Sequence, residues 1–377
     1  MRNCLLFIFS FYIFSGYSQD SIDTINSYKL PDTILLKTDT IVLINNIIPQ
    51  LKDTISIIGV GDIMFGTNFP SDIYLPPEHD CSPLLEELIP ILQNADITFG
   101  NLEGCFSDTA ELEKKCKDTT KCYAFRMPNK FIKCIEEAGF DIISLANNHI
   151  GDFGEEGKNN TMNLLDSSGI YYAGLLTHPV SVFIRDSIKY GFCAFSPNKG
   201  TCNIVEIIEA QKIANMLDKE CDIVIVSFHG GAEGADYQHV TRKTEEFYEE
   251  NRGNVYEFAH KMIDAGADVV FGHGPHVTRA IDIYKNRFII YSLGNFCTWR
   301  RFNLKGPNGI APIIKIRVTN TGEFIDGKIF PVYQDGKNGT KIDELKRIIY
   351  KLQELNKTDF PELNILITDD GLISVCP

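Results

Sequence analysis

GADVVFGHGPH, residues 266–276, opens with a short apolar run from Asp268 to Phe271, fenced by Gly266 and Gly272. The run is too short for a helix and shows no polar alternation, which is the pattern of a strand covered on both faces. It breaks into Gly272-His273-Gly274-Pro275-His276, a turn carrying two imidazoles, and the amphipathic stretch before it, from about Arg242 to Ala265, predicts a long helix. Outward from there the same grammar repeats. Ile55 to Val60, Asp96 to Phe99, Asp141 to Leu145 and Asp222 to Phe228 predict strands; Pro83 to Gln93, Pro128 to Ala138, a stretch after Gly154 and Val205 to Leu217 predict helices between them. Strand alternating with helix means crossover units in an α/β protein. From Arg279 to Pro331 the helices stop and AIDIY, FIIYSL, IIKIRV and GKIFPV follow one another, which predicts a second, largely antiparallel sheet packed on the first. The expected architecture is a four-layer α/β/β/α sandwich, closed by a charged helix from Ile342 to Leu355 and a hairpin around Asp369, Asp370 and Gly371.

Ligands of open α/β sheets bind outside the carboxyl ends of the strands. Here those ends run into Gly61-Asp62, Gly100-Asn101-Leu102-Glu103, Ala146-Asn147-Asn148-His149, His229-Gly230-Gly231 and the His273 to His276 turn. Each alone has a bland reading, since Asp or Asn after a strand forms turns or caps and a lone His is more often structural. Together they place four of the chain's eight histidines at one sheet edge beside glycines, which points to a metal site. Carboxylate, carboxamide and imidazole donors suit one or two divalent ions such as Mn, Fe or Zn, not the soft metals that select thiolates. His79, His178, His239 and His260 lack this context and read as solvated or packing residues. The chain has no GxSxG elbow, GxxxxGK[ST] loop, HExxH helix or GxGxxG turn after a strand, so serine-hydrolase and nucleotide-cofactor chemistries lose their main support.

Lys and Arg number 36 against 50 Asp and Glu, a net charge of −14 with no basic run, which argues against nucleic acid as a partner. Residues 1–18 carry Arg2, an apolar run from Leu5 to Phe14 and a small polar end, Ser15 to Ser18; this reads as a signal peptide, with an uncleaved anchor as the lesser reading and no integral span expected in the mature form. The protein is therefore expected to be exported, periplasmic or extracellular, with 19–53 as a linker. Cys105, Cys116 and Cys122 share one polar stretch, and in an exported chain at least two of them are expected to be disulfide-bonded, to each other or to a nearby loop cysteine.

GDIMFG (61–66), NLEG (101–104), ANNHIGDFG (146–154), FHGG (228–231), GADVVFGHGPH (266–276) and YSLGNF (291–296) occur in an order that resembles the bacterial capsule-synthesis CapA family, the poly-gamma-glutamate capsule proteins. That family's fold is similar to calcineurin-like metallophosphoesterases, and the resemblance covers about residues 54–335, leaving 336–377 as a C-terminal helix and hairpin. It implies that Glu103 bridges two ions, that Asn148, His229 and His273 complete one of them, and that Asp62 and His276 bind the other. It also implies that His149 faces the substrate as the acid, oriented by Asp152. One departure stands out: the enzymes of that superfamily have Asp-x-His where this chain has Asp62-Ile63-Met64. Two functions follow as expectations. The first is a metal-dependent hydrolase acting on a phosphoester substrate or an anionic envelope polymer; the alternative is a non-catalytic, metal-containing envelope protein that binds or guides such a polymer.

Overall fold

The computed structural model describes residues 52–115 and 123–376. The expected signal segment at 1–18, all of the expected linker but its last two residues, and Cys116 and Cys122 lie outside them.

Strand β1 (Thr54–Met64) shows how an unbroken apolar run builds layers. Ile55 and Ile57 enter one buried cluster, Ile58, Val60 and Ile63 another, because successive side chains of a strand leave opposite faces. β2 (Ile97–Leu102), β3 (Ile142–Ser144) and β4 (Tyr171–Ala173) continue the sheet in parallel. The crossovers carry α1 (Ile132–Ala138) and α2 (Gly154–Ser167), whose Ile135 and Leu165 pack with Ile58, Val60 and Ile143 on the outer face. A hairpin of β5 (Val180–Arg185) and β6 (Ile188–Phe195) opens the second sheet, and β7 (Ile223–His229) and β8 (Val269–His273) extend it in parallel. α3 (Ile207–Asp218) and α4 (Val255–Asp264) cover it: Leu217, Phe258 and Met262 cluster with Val224, Val226 and Val270, while Ile225, Val269 and Phe271 face the first sheet. Between the sheets the Phe99 and Phe271 rings stack with centroids 5.0 Å apart. The layers run helix, sheet, sheet, helix.

The segment from Arg279 to Pro331 departs from expectation, because it divides between the two sheets. β9 (Ile281–Tyr284) and β10 (Arg287–Ile290) add to β8 in the second sheet. β11 (Asn295–Thr298) and β12 (Ile310–Thr319) return to the first, where β12 lies antiparallel along Thr54–Gly59 of β1 and β13 (Phe324–Gln334) pairs beyond it. β14 (Thr340–Ile342) pairs with β13 and takes Ile342 from the expected last helix, and Lys346 at φ 54° precedes α5, which begins only at Arg347 (Arg347–Asp359). The closing hairpin, β15 (Ile365–Ile367) and β16 (Leu372–Val375), joins the first sheet through β13. Sheet orders are β15-β16-β13-β12-β1-β2-β3-β4, with β11 against β1 and β14 against β13, and β9-β10-β8-β7-β6-β5.

Two expected helices are shorter than the pattern suggests. The one drawn from Arg242 starts at Val255, where Asn254 accepts the Glu257 N–H as a cap and Gly253 (φ 82°) turns the chain; residues 246–251 form a small hairpin instead. The one drawn from Pro83 to Gln93 reduces to a 3₁₀ turn, Ser82–Leu84, and one α turn, Ile89–Leu92, since Pro83 and Pro90 each fit only a first turn. The disulfide expectation fails for Cys105, a buried free thiol packed under α2 where a Cβ on Gly157 would lie 2.9 Å from its sulfur, while Cys116 and Cys122 lie outside the described residues; among the described residues a disulfide joins Cys81 to Cys134. Among the described residues no helix is long and apolar enough to cross a membrane.

Candidate metal centre

Asp62 sits near the end of β1, opposite Asn101 of β2 and Asn295 of β11. The residue before it must be glycine. A Cβ on Gly61 would lie 1.9 Å from the Gly294 carbonyl oxygen, which accepts the Asp62 N–H at 2.9 Å. Glu103 follows β2, and the loop after β3 is shaped by Asn147, whose Oδ1 accepts the N–H groups of His149 and Ile150, both at 3.0 Å. That turn places Asn148 and His149 at the crevice. His229 and His273 end the neighbouring strands β7 and β8 and are partners in register. Beyond them the turn to His276 presses on the Gly230 backbone, and His276 itself holds φ 56°, a conformation unusual for histidine. Its carbonyl is fixed by the Asn308 side-chain amide at 3.1 Å. Local strain of this kind persists where the surroundings over-determine it, and functional sites are where it gathers.

The side chains converge. Asp62 Oδ1 lies 3.2 Å from His273 Nδ1, and Asp62 Oδ2 lies 2.9 Å from His276 Nδ1. His276 Nε2 lies 3.5 Å from Glu103 Oε1, which lies 3.9 Å from His149 Nε2. The His229 and His276 ring centroids are 6.1 Å apart. Donor atoms of Asp62, Glu103 and His276 all fall within 4.8 Å of one another. Ligand bonds of about 2.0–2.2 Å put two donors of one ion no more than about 4.4 Å apart, so the closest of these pairs are spaced to share one. Asn148 follows the same turn with its Oδ1 buried.

Electrostatics and hydrogen bonding fit a bound cation. Burial pushes the Glu103 carboxyl well above the usual carboxylate range; His276 partly offsets this, and Asp62 and Glu233 add to it. Burial also opposes ionisation of Asp62, yet hydrogen bonds and charge from His273 and His276 outweigh it and hold that carboxyl well below the usual range. For His276, burial is outweighed by Glu103, Asp62 and Glu233, and the imidazolium is pushed up to about 10, so an ion that takes its nitrogen would displace a proton. Burial, reinforced by Arg252, keeps His229 neutral, the form in which imidazole ligates. Among the described residues, both oxygens of Glu103, both ring nitrogens of His229, His273 Nε2 and Asn148 Oδ1 are buried and have no hydrogen-bond partner. An unsatisfied buried polar atom costs about 1–3 kcal/mol, and a positively charged ion satisfies acceptors of this kind together.

His149 and Asp152 form a dyad at the edge of this cluster. His149 Nδ1 lies 2.7 Å from Asp152 Oδ2, which leaves Nε2 turned toward Glu103. Asp152 also accepts the Phe125 N–H at 3.0 Å and pairs with Lys114 at 2.8 Å. Burial lowers the His149 pKa; Asp152 opposes the shift and Lys114 reinforces it. Phe125 packs against the His149 ring at 4.1 Å and Phe302 against His276 at 5.5 Å, giving the crevice an aromatic wall. Met64 offers nothing here: it is buried among apolar side chains and its sulfur accepts the Gly66 N–H.

Four residues of the centre escape a reading of strand ends alone. Asn101 donates to Asp62 Oδ1 at 2.8 Å and Asn147 donates to Asn101 Oδ1 at 3.2 Å, a chain of amides that orients the carboxylate without adding charge. Both lie in the strand-end segments, so the signal was present without a way to separate ligand from support. Lys114 carries no motif. Glu233, with one oxygen 4.0 Å from His276 Nε2, follows His229-Gly230-Gly231 so closely that its place in the loop was the available clue. His239 and His260 pair with Asp359 and Asp282 away from the cluster.

The region from β1 to β11 that builds this centre matches the family model described as bacterial capsule synthesis protein PGA_cap, over residues 56–299. The chain is 28% identical over 256 residues to the capsule biosynthesis protein CapA of Bacillus anthracis, covering 63% of this chain and 58% of that protein. It is 24% identical over 268 residues to the PGA biosynthesis protein CapA of Bacillus subtilis, covering 66% and 65%. The match thus spans less than two thirds of either relative. Among solved structures, a 5'-nucleotidase precursor from Thermus thermophilus superposes with a TM-score of 0.40 at 10% identity, covering 81% of this chain and 58% of that one. Since the matched residues include Asp62, Glu103, the Asn148 to Asp152 loop and all three ligand-side histidines, this chain belongs to the bacterial capsule synthesis protein family, PGA_cap.

Proposed function

We propose that the chain is an exported, divalent-metal-dependent hydrolase of capsule or exopolymer synthesis, acting on phosphoester or polymer linkages at the cell envelope. The observation that carries this reading is a coincidence: buried, unpartnered ligand atoms on Glu103, Asn148, His229 and His273 lie beside a histidine already oriented by a carboxylate. A pure binding site has no need for a positioned acid. In this reading Asp62, Glu103, Asn148, His229, His273 and His276 hold the metal, Mn, Fe or Zn, which when bound supplies Lewis acidity to a phosphoryl or acyl oxygen and to water. Asp152 accepts the His149 Nδ1–H and would stabilise the imidazolium, the form in which Nε2 also carries a proton and can pass it to a leaving oxygen. Phe125 and Phe302 keep bulk water from the imidazoles they cover.

Met64 favours a second reading. With its sulfur engaged by Gly66 it supplies no ligand, and a centre short of one donor suits a protein that holds an anionic polymer through its metal without cleaving it. Metal analysis of the purified protein together with a turnover screen on phosphoester and amide substrates separates the two. Metal with turnover supports the hydrolase; metal and polymer binding without turnover replaces it with the binding protein.

A further inference from the structure

The loop after β7 brings a fourth charged group to the crevice. Gly230 N–H bonds the His273 carbonyl at 2.8 Å and Gly234 N–H bonds the Pro275 carbonyl at 2.9 Å, so the segment between them is tied at both ends to the turn that carries His276. Glu233 lies within it, and its two oxygens have different surroundings. Oε1 is held by the buried Arg252 guanidinium at 2.9 Å. Oε2 is directed into the crevice, 4.0 Å from His276 Nε2, the nitrogen that lies 3.5 Å from Glu103 Oε1.

We propose that Glu233 is a further ligand of the ion held by Asp62, Glu103 and His276. This rests on the metal-centre reading above and extends it to a donor that strand-end logic does not assign. Oε2 is separated from His276 Nε2 by less than the about 4.4 Å that donors of one ion can span, whereas Glu233 falls outside the set of Asp62, Glu103 and His276 donors that lie within 4.8 Å of one another, so ligation requires its carboxylate to close on the ion. Arg252 forms an ion pair with one oxygen of Glu233 and so leaves the other toward the crevice, the arrangement an outer partner gives a ligating carboxylate. With Glu233 the subsite holds three carboxylates and one imidazole, an oxygen-rich set that favours Mn²⁺ over softer ions.

The test is titration of metal-free, full-length protein with Mn²⁺ alone, read by the signal of free Mn²⁺ in electron paramagnetic resonance, with no substrate or turnover involved. Glu233→Gln keeps the shape of the side chain and an oxygen for Arg252, and its unfolding midpoint in the metal-free form reports that the fold is intact. The expected result is Mn²⁺ affinity weakened by about 10–100-fold at one site. Glu250→Gln is the control, because Glu250 also faces Arg252, at 3.5 Å, but lies on the exposed hairpin. It is expected to bind Mn²⁺ as the wild type does. Wild-type affinity in Glu233→Gln overturns the proposal, as does equal weakening by both variants, which would assign the effect to Arg252. A wild type that binds no Mn²⁺, Fe²⁺ or Zn²⁺ removes the metal-centre reading itself, a failure distinct from that of the variants.

Discussion

The two sheets bring different chemistry to the crevice. The first contributes oxygen donors, Asp62, Glu103 and Asn148, and supports them with side-chain amides: Asn147 to Asn101, and Asn101 to Asp62. The second contributes nitrogen, His229, His273 and His276, and positions it through backbone, by the register of β7 with β8 and a turn pressed against Gly230. Among the ligands expected from the strand ends, neither sheet alone offers a mixed set. A metal here would therefore join two layers that otherwise meet through apolar contacts such as Phe99 on Phe271. The outer layers differ as well. A disulfide, Cys81–Cys134, ties α1 to the segment after β1, whereas Cys193, Cys202 and Cys221 on the second side are free thiols.

This contrast can be broken at its strongest point first. His273→Ala, on the nitrogen side, is expected to abolish metal binding and any turnover together, measured by metal analysis of the purified variant; retained metal would mean the oxygen side suffices. His149→Ala should leave metal content near that of the wild type and lower turnover by about 10² to 10⁴-fold, most for substrates with poor leaving groups. Asp152→Asn should show a milder loss in the same direction. Metal loss in His149→Ala would turn the proposed acid into a ligand. Replacing Cys81 and Cys134 by alanine opens a loop with a sequence separation of 53 and should cost about 4 kcal/mol in denaturant unfolding, while alanine at Cys193 should cost far less. Equal losses would erase the difference between the layers. Last, a divalent ion at about 100 times its Kd should stabilise the protein by about 2.7 kcal/mol, seen as a rise in unfolding midpoint that chelation reverses.

Apolar runs made the strands legible, and the alternation within ISIIGV and DVVF carries the four-layer packing, because both faces of each run are buried. What those runs do not encode is the partner. FIIYSL and IIKIRV are equally good strands, yet one lies beside β8 and the other beside β1. Helix length failed for a different reason: residues 242–254 have helical composition, but Arg242, Tyr248 and Glu249 adopt positive φ, and Gly253-Asn254 begins α4 anew. In the centre, position after a strand identifies Asp62, Glu103, His229 and His273. It does not distinguish the supporting Asn147 from Asn148, and it passes over Lys114 and Glu233, which reach the crevice from loops. The Cys81–Cys134 pairing was hidden because its partners lie 53 residues apart in sequence, while Cys105, directly after β2, is a buried free thiol.

β12 has a role unconnected with the crevice. It covers Thr54 to Gly59 of β1 along six residue pairs, and it lies beyond residue 299, where the family match ends. A piece of the chain trimmed to that match would keep every ligand named above and still expose a row of free backbone donors and acceptors on an apolar central strand. Exposed edges of this kind recruit other chains. Such a fragment should self-associate in light scattering, and adding residues 300–334 back should restore a monodisperse solution.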